Sequence, residues 1–163
     1  MKDLLDKLTS YNLFNNLLPG IIFVIFCKEF VGYNLIQENN ILAAFLYYFI
    51  GMSISRFGSL VIEPVLIKLK ILKYENYKSF VKTSKPDPKT EVLIEVNNTF
   101  RTVASIFFLL LITMAYELIN SYIDISKHLE NIILIILLLL LYLASIRKQT
   151  KYISKRIEAN ENN

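Results

Sequence analysis

EPVLIKLKILKYENYKSFVKTSKPDPKTEVLIEVNNTFRT, residues 63–102, is the long polar interruption in a chain that is otherwise mostly hydrophobic. It carries seven lysines and one arginine, interleaved with Tyr74, Tyr77, Phe80 and Phe100. On either side the sequence runs into blocks of Leu, Ile, Val and Phe. Of the 163 residues 54% are hydrophobic, and the mean hydropathy is +0.43. A soluble domain of this size needs more polar surface than that. The apolar excess is gathered in blocks, so the expected fold is all-α: a single polytopic membrane domain of four spans, with 63–102 as a cytoplasmic module between them.

The spans are read outward from this stretch. On its N-terminal side, Ile41 to Ile62 is 22 residues long, about 33 Å as a helix and enough to cross a bilayer. Gly51, Ser55, Gly58 and Ser59 form a small-residue stripe along it, which lets helix backbones approach closely in lipid. Arg56 lies inside this span and Glu63 ends it, seven positions later. They project from similar faces but are about 10 Å apart along an ideal helix, so each needs a partner elsewhere or water. Pro64 is expected to kink or restart the helix. Residues 65–72 then alternate Ile67, Leu69 and Ile71 with Lys68, Lys70 and Lys73, read as a short helix with lysines near the headgroups. A second short helix is expected over 74–83, and Ser84 to Pro88 forms a turn. Asp87 suits an N-cap and Pro88 the first helical position.

From Asp87 no Gly or Pro beyond Pro88 interrupts the chain until Tyr122. A single helix is therefore expected, polar to Arg101 and membrane-spanning over about 103–119. Its polar part projects about 14 residues, roughly 20 Å, into the cytoplasm. Glu91, Glu95, Asn98, Thr102 and Ser105 share one of its faces. The fourth span, 131–146, is nearly pure Leu and Ile, reads as having no polar face, and is expected to face lipid. A basic tail (147–163) carries Arg147, Lys148, Lys151, Lys155 and Arg156 and is expected to fray from Glu158. Upstream, residues 17–26 are apolar but follow a charge-balanced segment (Lys2, Asp3, Asp6, Lys7) with no cleavage site, so they read as an uncleaved first span over about 13–30 rather than a signal peptide. A break is expected at 15–20, with Pro19 in the first turn of a new helix. Residues 1–16 read as an amphipathic helix that lies in the membrane interface or packs on a neighbouring subunit.

Charge sets the orientation. Of eighteen Lys and Arg, fifteen fall in the N-terminal segment, in 63–102 and in the tail, and two (Lys28, Lys127) in the opposite loops. The positive-inside rule then places both termini and 63–102 in the cytoplasm of a bacterial inner membrane.

No enzymatic constellation is present, and no enzyme, metal or cofactor is expected. There is no P-loop, GxSxG or HExxH motif. Cys27 and His128 are the lone cysteine and histidine, which excludes an intrachain disulfide, common zinc sites and histidine triads within one chain. Glu91 and Glu95, at i,i+4 spacing, read as a solvated or subunit-facing helix side rather than an acid–base pair. The candidate pore or gate residues are Ser55, Arg56, Ser59, Glu63, Asn98, Thr102 and Ser105. An intramembrane arginine is costly and faces a bundle interior or water path, unless it snorkels to the headgroups. The candidate ligand-binding residues are Lys68, Lys70, Lys73, Tyr74, Tyr77, Lys78, Lys82, Asn97, Asn98 and Arg101. Three readings of this basic, aromatic set stay open. It suits anionic membrane lipid, a nucleotide or short single-stranded nucleic acid whose phosphates meet Lys and Arg while bases stack on Tyr, or an acidic protein.

GMSISRFGSLVIEPVLIKLK (51–70) together with EVNNTFRT (95–102), in a small protein with this span pattern, resembles the membrane effectors of bacterial anti-phage defence of the Hailong type. The resemblance covers most of the chain. It implies an oligomeric, channel-like effector held shut by a short deoxyadenylate oligonucleotide, a DNA ligand made by an operon-encoded nucleotidyltransferase and bound from the cytoplasm. One copy is too small to enclose a wide pore, so a homo-oligomer, with a tetramer favoured, is expected around spans two or three. The rival expectation is a membrane anchor or scaffold that recruits a cytoplasmic partner protein without conducting ions.

Overall fold

The computed structural model describes residues 15–74 and 88–161, and these are mostly helical with no strand among them. Three helices are long and apolar enough to cross a membrane: Asn40–Lys68, Val92–Ile123 and Lys127–Ala159. In chain order, α1 covers residues 15–31 and is shorter than these three; α2 is Asn40–Lys68, α3 is Pro88–Ile123 and α4 is Lys127–Glu161.

Residues 15–20, where the sequence predicts a break, are already helical. Packing holds them so. A Cβ at Gly20 would collide with the Tyr47 carbonyl oxygen, and one at Gly51 with the Asn16 carbonyl oxygen. The α1 and α2 backbones therefore touch through two glycines, the close approach that small residues permit in membrane helices. The last turn of α1, Cys27–Val31, is π-helical and stops at Gly32, whose φ of 88° is the left-handed conformation that ends helices. Asn39 caps α2, its Oδ1 accepting from the Ile41 N–H at 3.0 Å and the Leu42 N–H at 3.1 Å.

Pro64, expected to kink or restart the helix, stands in the first turn of a regular segment, Glu63–Lys68, that continues α2. α2 runs through it because the preceding turn, Gly58–Ile62, widens to a π-helix. A proline in a regular α-helix clashes with the carbonyl four residues back. The wider turn moves that carbonyl aside, and the Glu63 N–H bonds to the Gly58 carbonyl instead. The short helix expected over 65–72 is thus the last segment of α2, Glu63–Lys68, continuous with the span before it. α2 ends at Lys68, and Lys70 at φ 60° turns the chain so that the Ile71 N–H meets the Leu66 carbonyl at 2.9 Å. The short helix expected over 74–83 lies outside the described residues, as do the interfacial helix of residues 1–14 and the cap at Asp87.

α3 is one unbroken helix from Pro88, as its sequence predicts, and spans 36 residues, about 54 Å. Three residues, Asp124 to Ser126, connect it to α4, which forces the two helices antiparallel. The basic tail does not fray at Glu158; α4 continues to Glu161. The core lies between α1, α2 and α3, where Cys27, Ile54, Ile106 and Leu110 are buried together and Phe26 packs against them. α4 touches this unit along one edge, through stacking of Tyr142 on Phe49 and a 3.0 Å hydrogen bond between the Tyr142 and Ser53 hydroxyls. Its most apolar stretch is 6% buried against 28% for that of α2, so most of it is left uncovered by the rest of the chain. It nevertheless has a narrow polar edge, contrary to expectation: Tyr142, Ser145 and Lys148 recur at helical spacing.

At the end opposite the basic tail a second polar cluster ties the elements together. The Tyr33 hydroxyl donates to the Glu117 carboxylate. Glu130 accepts from the Tyr116 hydroxyl at 2.9 Å, Asn120 Nδ2 at 3.2 Å and Lys127 Nζ at 3.0 Å.

Replacing Gly51 by leucine should push α1 off α2 and cost about 1–3 kcal/mol or more through overpacking, read as a lower unfolding midpoint in detergent. Ala44→Leu, on the exposed side of α2, should leave the midpoint unchanged.

Candidate functional site: a shared carboxylate between two clefts

Three charges from distant parts of the sequence converge where the apolar stretches of α2, α3 and α4 end. Glu63 is 8% exposed. Its Oε2 accepts from Arg101 Nη1 at 2.5 Å, and its Oε1 from Lys148 Nζ at 3.4 Å. Lys148 Nζ also donates to the Ser59 carbonyl at 2.6 Å and the Ser59 hydroxyl at 2.8 Å. One carboxylate therefore fastens α2 to α3 and to α4. The partner that Glu63 requires is not Arg56 but these two cations. Each is brought to its level by a different helix, Arg101 by α3 and Lys148 by α4. Burying such a carboxylate is tolerable only because both oxygens are engaged. Arg101 Nε is buried with no hydrogen-bond partner.

Close packing sets the register of this node. A Cβ on Gly58 would strike the Ser105 hydroxyl, so α2 and α3 meet where the π-turn begins. Ser105 is fully buried and Thr102 is 4% exposed. Their hydroxyls donate back to the Arg101 and Asn98 carbonyls at 2.7 and 2.9 Å, which satisfies them inside an apolar contact.

Two clefts flank the node, and Asn98 and Arg101 line both. The first, about 310 Å³, lies between α1, α2 and α3 and gathers Asn15, Asn16, Ser55, Arg56, Thr99 and Thr102. Four of the predicted pore or gate residues, Ser55, Arg56, Asn98 and Thr102, are brought together here, with Arg56 exposed. Ser105 is buried between the helices of the chain, and Ser59 and Glu63 face the other side. That second cleft, about 700 Å³, opens between the end of α2, the polar third of α3 and the tail of α4, and is lined by Ser59, Glu63, Tyr74, Asn97, Tyr152 and Lys155 among others.

The second cleft collects Tyr74, Asn97, Asn98 and Arg101 from the predicted ligand set. Asn97 Nδ2 points to the Tyr74 hydroxyl at 3.5 Å, a long contact. Lys68, Lys70 and Lys73 are exposed around the α2 terminus and do not line it. Tyr77, Lys78 and Lys82 lie outside the described residues.

The residues that sequence reasoning misses come from α4. Lys148, Lys151, Tyr152 and Lys155 line a further depression of about 220 Å³ that borders the second cleft through Tyr152 and Lys155. A signal for them is present: Tyr142, Ser145, Lys148, Tyr152 and Lys155 recur every three or four residues, one helix face. The run of Leu and Ile before them masks it, so that by composition they are the end of a lipid-facing span and a basic tail. No family model, curated protein or solved structure matches the chain.

Glu63→Ala strands two buried or half-buried cations and should cost about 3–5 kcal/mol, measured by unfolding in detergent. The double variant Glu63→Gln/Arg101→Gln should lose less than the sum of its single changes, because the two groups act on each other.

Proposed function

We propose that the chain is an inner-membrane, homo-oligomeric ion-channel effector, gated from the cytoplasmic side by a phosphate-bearing ligand in the cleft between the end of α2, α3 and the α4 tail. The observation that carries this reading is the continuity of α3. Asn97, Asn98 and Arg101, which line the ligand cleft, stand on the same unbroken helix as Thr102 and the apolar turns beyond it. A ligand that binds two arrangements of this rod unequally biases the arrangement of the membrane part as well.

In this reading α1 is a fourth, short span. Both termini and 63–102 are then cytoplasmic, in keeping with fifteen against two in the distribution of Lys and Arg. The largely unburied α4 faces lipid, and copies, four by preference, assemble with the Ser55, Arg56, Asn98 and Thr102 cleft toward the ion path. A nucleotide or short deoxyadenylate oligonucleotide suits the mixture of Arg101, Lys155, the two asparagines and the Tyr74 and Tyr152 rings. An anti-phage role with a nucleotidyltransferase partner rests on the resemblance in 51–70 and 95–102.

Two measurements test this. Reconstituted in liposomes, the full chain should release trapped cations, and a short single-stranded deoxyadenylate on the cytoplasmic face should change the rate at least about tenfold, the effect of roughly 1.4 kcal/mol of differential binding. Arg56→Ala and Thr102→Leu should alter conductance while leaving oligonucleotide binding intact. A protein that binds the oligonucleotide without passing ions would be an anchor, and one that does neither would end the proposal. Separately, cysteines at Asn34 and Asp124 should react with an impermeant thiol reagent from outside the cell, and a cysteine at Lys73 only after permeabilisation.

A further inference from the structure

We propose that Glu63 occupies the anion position of the ligand cleft, as an internal competitor that an incoming phosphoryl group displaces from Arg101 and Lys148. This deepens the gating reading above and rests on it. The cleft and its neighbouring depression are lined by Arg101, Lys148, Lys151 and Lys155 around Tyr152, and among the described residues Glu63 is the single carboxylate in that lining. Both oxygens of Glu63 are spent on cations from α3 and α4. The arrangement is that of a bound anion: one acceptor bridging two donors from different elements. It is also incomplete, since Arg101 Nε is buried without an acceptor. With its other oxygen on Lys148, the Glu63 carboxylate engages Nη1 alone and leaves that donor unused, whereas a phosphoryl group presents three oxygens and can take Nε and Nη together while still reaching Lys148. The ligand class follows. It must carry at least two negative charges on one phosphoryl group or chain, because a single carboxylate gains nothing over the one already present.

Displacement has a mechanical consequence. Glu63 deprived of both cations would be an uncompensated buried charge, which is not tolerated, so the end of α2 must move. The segment that can yield is next to it: the π-turn Gly58–Ile62. Relaxing the π-turn to regular helix restores the Pro64 clash, which a kink at that point relieves, and changes the register by one residue, a rotation of roughly 100°. That rotation separates Glu63 from the Ser55 and Arg56 end of α2. Ligand charge in one cleft is thereby converted into a turn of the helix that lines the other.

The test uses the full chain in phosphatidylcholine nanodiscs with inorganic tripolyphosphate as the probe, titrated calorimetrically. Glu63→Gln keeps the side chain's shape and removes the competing charge, so it should bind tripolyphosphate about tenfold or more tightly than the parent; Arg101→Gln should bind it at least about tenfold more weakly. Equal affinity in the parent and Glu63→Gln overturns displacement while leaving the anion cleft standing. Binding in neither overturns both. Binding that disappears when phosphatidylglycerol replaces phosphatidylcholine assigns the site to lipid headgroups and overturns the soluble-ligand reading. A second measurement leaves Glu63 untouched. In Cys27→Ala protein, a disulfide between Leu60→Cys and Gln149→Cys, which line one small cleft between α2 and α4, should form readily and lose at least about tenfold in rate when tripolyphosphate is added. An unchanged rate overturns the proposal.

Discussion

The organisation of this protein depends on one buried carboxylate with two cationic partners. Glu63 is placed where three apolar helices reach their polar ends, and it binds Arg101 on one of them and Lys148 on another. In lipid the hydrophobic effect does not draw helices together, because hydrocarbon is as good a neighbour as leucine. Association has to come from close packing and from polar groups with nowhere else to go. Here the two act in succession along α2: glycine contacts at Gly51 and Gly58, then the polar contacts at Ser59 and Glu63.

The π-turn belongs to the same constraint. Pro64 cannot follow a regular helical turn without a clash, and Gly58 has to approach Ser105 closely. Widening the turn between them meets both demands and aims Glu63 at α3 and α4. A turn adopted under such compensation is the place where a small input can change helix register. The polar cluster at the other end, with Glu130 accepting from Tyr116, Asn120 and Lys127, holds the α3–α4 corner. A perturbation at Glu63 is thus not free to splay the two helices from both ends.

Geometry and chemistry carry different parts of the function. Geometry puts two clefts on either side of Asn98 and Arg101, one between α1, α2 and α3, the other basic and aromatic between α2, α3 and α4. In the function proposed above, ions and water would pass along Ser55, Arg56 and Thr102, and a phosphate-bearing ligand would sit among Arg101, Lys155 and the tyrosines. α3 connects them because nothing in its sequence allows a hinge.

Much of the architecture is legible in the amino-acid sequence. Apolar blocks, the lysine asymmetry and the absence of Gly and Pro between Lys89 and Tyr122 are local or additive properties, and they specify an all-helical chain with long apolar helices and an unbroken α3. The candidate site is legible in halves. Asn98, Arg101 and Tyr74 can be named from residue type, but Lys148, Lys155 and Tyr152 cannot be joined to them that way. Their proximity depends on α4 folding back along α2, across about ninety residues of chain. Sequence likewise shows that Glu63 needs a partner without showing which. The choice among eighteen basic residues is made by packing: the close contact of Gly58 with Ser105 sets the α2–α3 register that brings Arg101 within reach, and the contacts of Tyr142 with Phe49 and Ser53 do the same for Lys148 on α4.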